Sequence, residues 1–202
     1  MFLQSPLTLI LASTSTYRRE LLRRVYPAFE CAAPGIEETP LANETGAALV
    51  RRLALAKAQA VALRHPAAWV IGSDQAAALM HGEEEAHILG KPGTAQNCMR
   101  QLRACSGRRV DYLTACAVVR DADRSTFEFL DTTRVTLRVL GDAEIERYVA
   151  REAPFDCAGG FKSEALGISL CESIETRDPS ALIGLPLIRL SAVLREIGFE
   201  LP

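Results

Sequence analysis

Residues 7–19 decide the fold class: Leu7-Thr8-Leu9-Ile10-Leu11-Ala12, then Ser13-Thr14-Ser15-Thr16, then Tyr17-Arg18-Arg19. The first six form a short apolar run, which reads as a buried strand. Four hydroxyl residues follow, the types that cap helix N-termini. A helical stretch then runs from Tyr17 to Val25. A buried strand running into a capped helix is a building unit of α/β proteins.

The same alternation continues outward. Phe29–Ala32 reads as a second strand, Pro34–Pro40 as a loop carrying Glu37 and Glu38, and Glu44–Arg64 as a long Ala-rich helix. Trp69-Val70-Ile71 reads as a third strand ending in Gly72-Ser73-Asp74-Gln75, and His81–Glu85 as a polar turn. After the break at Lys91-Pro92-Gly93, Thr94 caps a helix to Ala104. Val110–Arg120 and Thr126–Val139 flank a turn at Asp121-Ala122-Asp123 and predict a hairpin. Asp142 caps a helix to Arg151, and Gly159–Glu164 is an aperiodic loop. Asp178-Pro179 reads as an N-cap with proline at the first helical position. A last helix spans Pro186–Ile197 and stops at Gly198. The expected architecture is a mixed α/β sheet with flanking helices, one compact unit over residues 1–202 with a cleft.

The chain has 202 residues, 49% hydrophobic and 24% charged, which excludes fibrous and disordered classes. With 23 Lys and Arg against 25 Asp and Glu, the net charge is −2, and a bulk electrostatic hold on nucleic acid is excluded. No window reaches ~18 apolar residues, so no membrane span is expected. Met1–Pro6 lacks the basic-then-apolar pattern of a leader, so the cytoplasm is the expected compartment. The six cysteines are scattered with no C-x-x-C pair, and reduced thiols are expected rather than disulfides or zinc ligands.

Several segments offer chemistry, each with a plainer alternative. Ser13–Arg18 at a helix start offers free N–H groups, hydroxyls and a guanidinium to phosphate oxygens, or is simply a capped helix with surface arginines. Lys57 shares a helical stripe with Leu49, Val50, Leu53, Ala60 and Val61; it faces an anion in a cleft, or snorkels at the stripe's edge. Asp74 at a strand end can bind Mg²⁺ or take a proton from water, or form a turn. Glu37-Glu38 are loop carboxylates, metal-binding or merely solvated. Lys91, and Lys162 in Gly160-Phe161-Lys162-Ser163-Glu164, offer point charges beside glycines that permit close backbone approach. Together they form the inventory of a metal–polyphosphate site.

In this order these segments, with Glu37-Glu38-Thr39-Pro40, Lys57-Ala58, Ile71-Gly72-Ser73-Asp74-Gln75 and Gly90-Lys91-Pro92, resemble the Maf nucleoside triphosphate pyrophosphatases over essentially the whole length. The resemblance implies two lobes around a deep cleft, and hydrolysis of nucleoside triphosphates to monophosphate and pyrophosphate with a divalent metal, Mg²⁺ or Mn²⁺. It implies Asp74 as proton acceptor, Glu38 and Asp74 as metal-handling groups, and Ser13, Arg18, Lys57, Lys91 and Lys162 as phosphate-handling groups. It also implies a homodimer. Thr16 departs from the proline usual there.

Tyr17, Gln75 and Glu164, with Cys157-Ala158-Gly159 and Arg177-Asp178-Pro179, resemble the YceF-type branch, similar to 7-methyl-GTP pyrophosphatases. A 7-methylguanine base is cationic, and an aromatic face attracts a cation by roughly 0.5–2 kcal/mol. A carboxylate such as Glu164 adds attraction or accepts from the guanine N1–H and 2-amino group. The alternatives within this resemblance are a pyrophosphatase for unmodified dTTP, UTP or CTP, and a nucleotide-binding cell-division regulator without significant catalysis.

Overall fold

The computed structural model describes residues 7–201. The Met1–Pro6 segment considered above lies outside them. The elements are β1 (Leu9–Leu11), α1 (Thr16–Val25), β2 (Glu30–Cys31), α2 (Gly46–Ala62), β3 (Trp69–His81), β4 (Glu84–Leu89), α3 (Ala95–Cys105), β5 (Arg109–Arg120), β6 (Ser125–Leu137), α4 (Asp142–Glu152), β7 (Cys171–Glu175) and α5 (Leu187–Glu196). The seven strands form one mixed sheet in the order β2-β1-β3-β5-β6-β7, with β4 also paired to β3. β2, β1 and β3 run parallel; every other pairing is antiparallel. This is the mixed α/β architecture expected, with the β5–β6 hairpin in place.

The largest departure is β3. A strand of three residues was expected, ending before Asp74; thirteen are observed, and Asp74 lies inside the strand. Ala76-Ala77-Ala78 are poor strand formers, but β5 pairs with β3 from Val70↔Val119 to Leu79↔Val110. Tertiary pairing overrides local propensity. The polar turn expected over His81–Glu85 runs at Glu84 into β4, whose first residues are charged and exposed, as an edge strand tolerates. β7 was not anticipated. Asp178-Pro179 opens no helix of its own; only a 3-10 turn follows, at Ala181–Ile183. All six cysteines are free thiols, three of them buried. No described helix is long and apolar enough to cross a membrane.

Side chains alternate along β3. Its even positions Val70, Ala76 and Ala78 pack under Val50, Ala54, Ala58 and Val61 of α2. Its odd positions serve two separate cores on the other face. Trp69 and Ile71 join Leu21, Leu22, Leu190, Val193 and Leu194 of α1 and α5. Ala77 and Leu79 join Leu102, Ile145 and Val149 of α3 and α4. Between these apolar stretches lie Gly72, Ser73, Asp74 and Gln75, so the polar stretch falls in mid-strand.

Gly72 is required by the approach of α2. A Cβ there would meet the Ala58 backbone nitrogen at 2.7 Å, and the Ala54 carbonyl oxygen closer still. Backbone cannot yield as a flexible side chain can. Gly72→Ala should therefore push α2 off the sheet and cost about 1–3 kcal/mol or more, the range of overpacked cores. Urea unfolding should show a lowered midpoint with an unchanged slope; an unchanged midpoint would refute the close approach.

Candidate active site

One edge of β3 changes partner. β1 pairs with Trp69–Ile71 and β4 with Ala77–His81, leaving Gly72–Ala76 without a strand on that side. A cleft of about 790 Å³ opens over this gap. It lies beyond the carboxyl end of β1, the place where parallel strands collect ligands. The turn after β1 forms one wall. Ser13 Oγ accepts from Ser15 N at 3.1 Å, and Ser15 caps α1 by accepting from Arg18 N at 3.4 Å. Thr16 is the first residue of α1, where proline is favoured but not needed, so its departure leaves the cap intact.

The centre is an ion triad. Lys57 is buried with the stripe of α2, and its Nζ lies 2.6 Å from Asp74 Oδ1 and 2.9 Å from Glu38 Oε1. Lys57 thus faces acid across the cleft floor rather than snorkelling to open water. Asp74 is 8% exposed. Burial raises its pKa above the ordinary carboxylate value; Lys57 and then Arg18 oppose this, and Glu38 adds to it. Arg18 donates from Nε to the Gly184 carbonyl at 2.9 Å. Burial lowers its pKa, while Asp74 and Glu38 hold it up, and a guanidinium stays charged.

Glu38 and Asp74 converge on one ammonium, so their oxygens could also face one divalent cation. No cluster of three or more His, Cys, Asp or Glu forms a ready cage among the described residues. Hard cations accept oxygen ligands and keep several from water or phosphate. Two protein carboxylates therefore fit an ion carried in on a polyphosphate.

The remaining residues divide. Lys91 is exposed on the cleft rim. Tyr17 and Glu164 line the cleft together. Burial, the largest cause, raises the Tyr17 pKa. Lys162 is not with the triad: its Nζ lies 5.8 Å from the Tyr17 ring centroid and 3.5 Å from Glu152 Oε1. Gln75 reaches the cleft, but its amide donates to Thr114 Oγ1 and to the carbonyls of Ala181 and Leu182, each at 3.0 Å. Its role here is to hold the 3-10 turn, aided by Ser73, which donates to the Gly184 carbonyl at 3.0 Å. One contributor was missed in sequence, and one caps a later helix than its sequence suggests. Asp156 lines the cleft near Tyr17, and nothing in its spacing marked it. Asp178 is buried and secures the turn from behind: its carboxylate accepts from Ser180 N at 2.9 Å and Ile188 N at 2.7 Å. It therefore helps cap α5, the next helix along.

A family profile described as "Maf-like protein" matches residues 8–197. A relative from Xanthomonas oryzae pv. oryzae, named 7-methyl-GTP pyrophosphatase, is 51% identical over 194 residues, covering 96% of this chain and 98% of the relative. Proteins of the same name from Aromatoleum aromaticum and Pseudomonas aeruginosa are 53% and 48% identical, each over 96% of this chain and 97% or 98% of the relative. Among solved structures, the Staphylococcus aureus Ham1 protein superposes with a TM-score of 0.46 at 18% identity, over 64% of this chain and 71% of that one.

Asp178→Ala would leave the Ile188 and Ser180 donors without their buried acceptor. The expected loss is about 1–3 kcal/mol, read as a lowered melting temperature. Wild-type stability in this variant would show that Asp178 does not secure the turn.

Proposed function

The chain belongs to the Maf-like family, and from that membership we propose that it hydrolyses a nucleoside triphosphate, 7-methyl-GTP by preference, to the nucleoside monophosphate and pyrophosphate. The observation that carries the proposal is the triad of Lys57, Asp74 and Glu38 beside Arg18 at the floor of the cleft. The relatives at about 50% identity carry the name of this activity over nearly the whole chain.

Water attacks the α-phosphorus, and the bond from that phosphorus to the α–β bridging oxygen breaks. Asp74 orients the water and accepts its proton. Arg18 and Lys57, with the first N–H groups of α1 and the Ser13 hydroxyl, stabilise the charge of the departing pyrophosphate. Lys91 is placed to meet phosphate from the rim, and Lys162 does so if it leaves Tyr17. Glu38 and Asp74 would hold a divalent metal, Mg²⁺ or Mn²⁺, which when bound neutralises phosphate charge.

Selection of the base falls to the Tyr17 end. There the Tyr17 ring lines the cleft together with the Asp156 and Glu164 carboxylates, the groups that favour a cation. A methylated, cationic guanine gains from the ring and from Glu164, and an unmethylated base gains less. Residues 1–202 would then act as one two-lobed unit; a cytoplasmic location and a homodimer go with the family resemblance.

Asp74→Asn should lower kcat about 10²–10⁴-fold, the worth of a positioned base, with an unchanged far-UV circular dichroism spectrum. Near-wild-type turnover would remove Asp74 from the chemistry. Tyr17→Ala should shrink the preference for 7-methyl-GTP over GTP about 2- to 30-fold. Pyrophosphate release from a nucleotide panel reads both. Equal rates for methylated and unmethylated bases in the wild type would defeat the base assignment, and binding without release would favour the regulator.

A further inference from the structure

Glu38 sits on a segment, residues 33–44, that has little structure of its own. Among the described residues, its one internal backbone–backbone bond joins Glu44 N to the Leu41 carbonyl at 3.2 Å. Side chains of α2 and of the turn after it fasten it instead. Arg64 Nη2 donates to the Ala33 carbonyl at 2.7 Å, holding one end. At the other end Arg52 donates from Nε to Glu44 Oε1 at 2.6 Å and from Nη2 to Glu44 Oε2 at 2.7 Å. The same Nη2 lies 3.3 Å from the carbonyl of Thr39, the residue after Glu38. Glu44 Oε2 also accepts from Leu41 N at 3.0 Å. The Arg52 hydrogen bond, aided by the Leu41 N–H, holds the Glu44 carboxyl at about 2, well below the usual carboxylate range. Two parallel bonds between planar groups fix direction as well as distance.

We propose that Arg52 and Glu44 are a positioning pair that sets Glu38 against Lys57 and Asp74. Arg52 and Lys57 stand five residues apart on one helix. α2 therefore carries both the fastening of the segment and the counter-ion that Glu38 must meet. Fixing Thr39 and Glu44 limits where the Glu38 carboxylate can go, and Lys57 selects its final place. A loose segment would still reach Lys57, but only part of the time, and a cation needing both Glu38 and Asp74 would be bound more weakly. The consequence for metal rests on the assignment of Glu38 as a metal-holding group under the proposed function.

The test uses Arg52→Gln and Glu44→Gln in the full chain, with Glu38→Gln as reference. Mn²⁺ binding is measured by electron paramagnetic resonance in the presence of a triphosphate analogue with a methylene α–β bridge. Hydrogen exchange reports on residues 33–44. Arg52→Gln should weaken Mn²⁺ binding about tenfold, the usual effect of removing support behind a metal ligand, and speed exchange of the segment. At saturating Mn²⁺, kcat should return to near the wild-type value. Arg52→Lys should restore little, since one ammonium cannot reproduce the forked contact. Unchanged Mn²⁺ affinity in Arg52→Gln and Glu44→Gln, with Glu38→Gln impaired, overturns the proposal and leaves the pair a stabilising contact only. Unchanged affinity in Glu38→Gln instead overturns the metal assignment; the pair then stands if exchange of the segment rises in Arg52→Gln and falls if it does not.

Discussion

A lysine ammonium under a helix needs an anion, and Lys57 meets two. Its stem shares the apolar face of α2 with Val50, Ala54 and Val61, so its head must end where that face meets the sheet. Water is scarce there, and an unpaired charge would be costly. Asp74 answers from β3 and Glu38 from the loop before α2. Such a triad contributes little net stability, because desolvating three charges offsets much of their attraction. Its value is a cluster of charges in fixed positions, available to a ligand that brings its own.

The sheet supplies the opening for that ligand. β3 is long enough to hold β1 at its start and β4 at its end, with a gap between. Across the gap, even positions turn Asp74 toward α2 and odd positions turn Ser73 and Gln75 toward the 3-10 turn at Ala181–Ile183. One five-residue stretch thereby builds the charged floor and anchors a wall. The Gly184 carbonyl ties the two together, accepting from Ser73 on β3 and from Arg18 on α1. The near-zero net charge of the chain conceals this arrangement, because Arg18 and Lys57 stand together at the cleft floor while the other charges are spread elsewhere.

Much of the site was legible, for reasons that differ by residue. Lys57 betrayed itself by sitting inside an apolar stripe, a violation of helical patterning that needs a partner. Asp74 stood out as a carboxylate after an apolar run. Ser13 and Arg18 marked a strand-to-helix junction. Gln75 lines the cleft as expected, but its amide is committed to backbone carbonyls more than a hundred residues away. Asp156 gave no signal, since a lone aspartate in a loop looks the same whether it faces solvent or a cleft; Asp178 is marked by the proline after it, but the helix it helps to cap is α5, ten residues further on.

The sequence by itself determined the α/β class, the β1–α1 junction, the place of Lys57 on the apolar stripe of its helix and the family. These follow from local periodicity, capping chemistry and motifs, which depend on near neighbours in the chain. The tertiary structure decided the length of β3, the existence of β4 and β7, the turning of Lys162 toward Tyr17 and Glu152, and the fastening of the Glu38 segment by Arg52. Each depends on pairing or charge contact between residues distant in sequence or on separate elements, and such contacts leave no periodic trace in either partner alone.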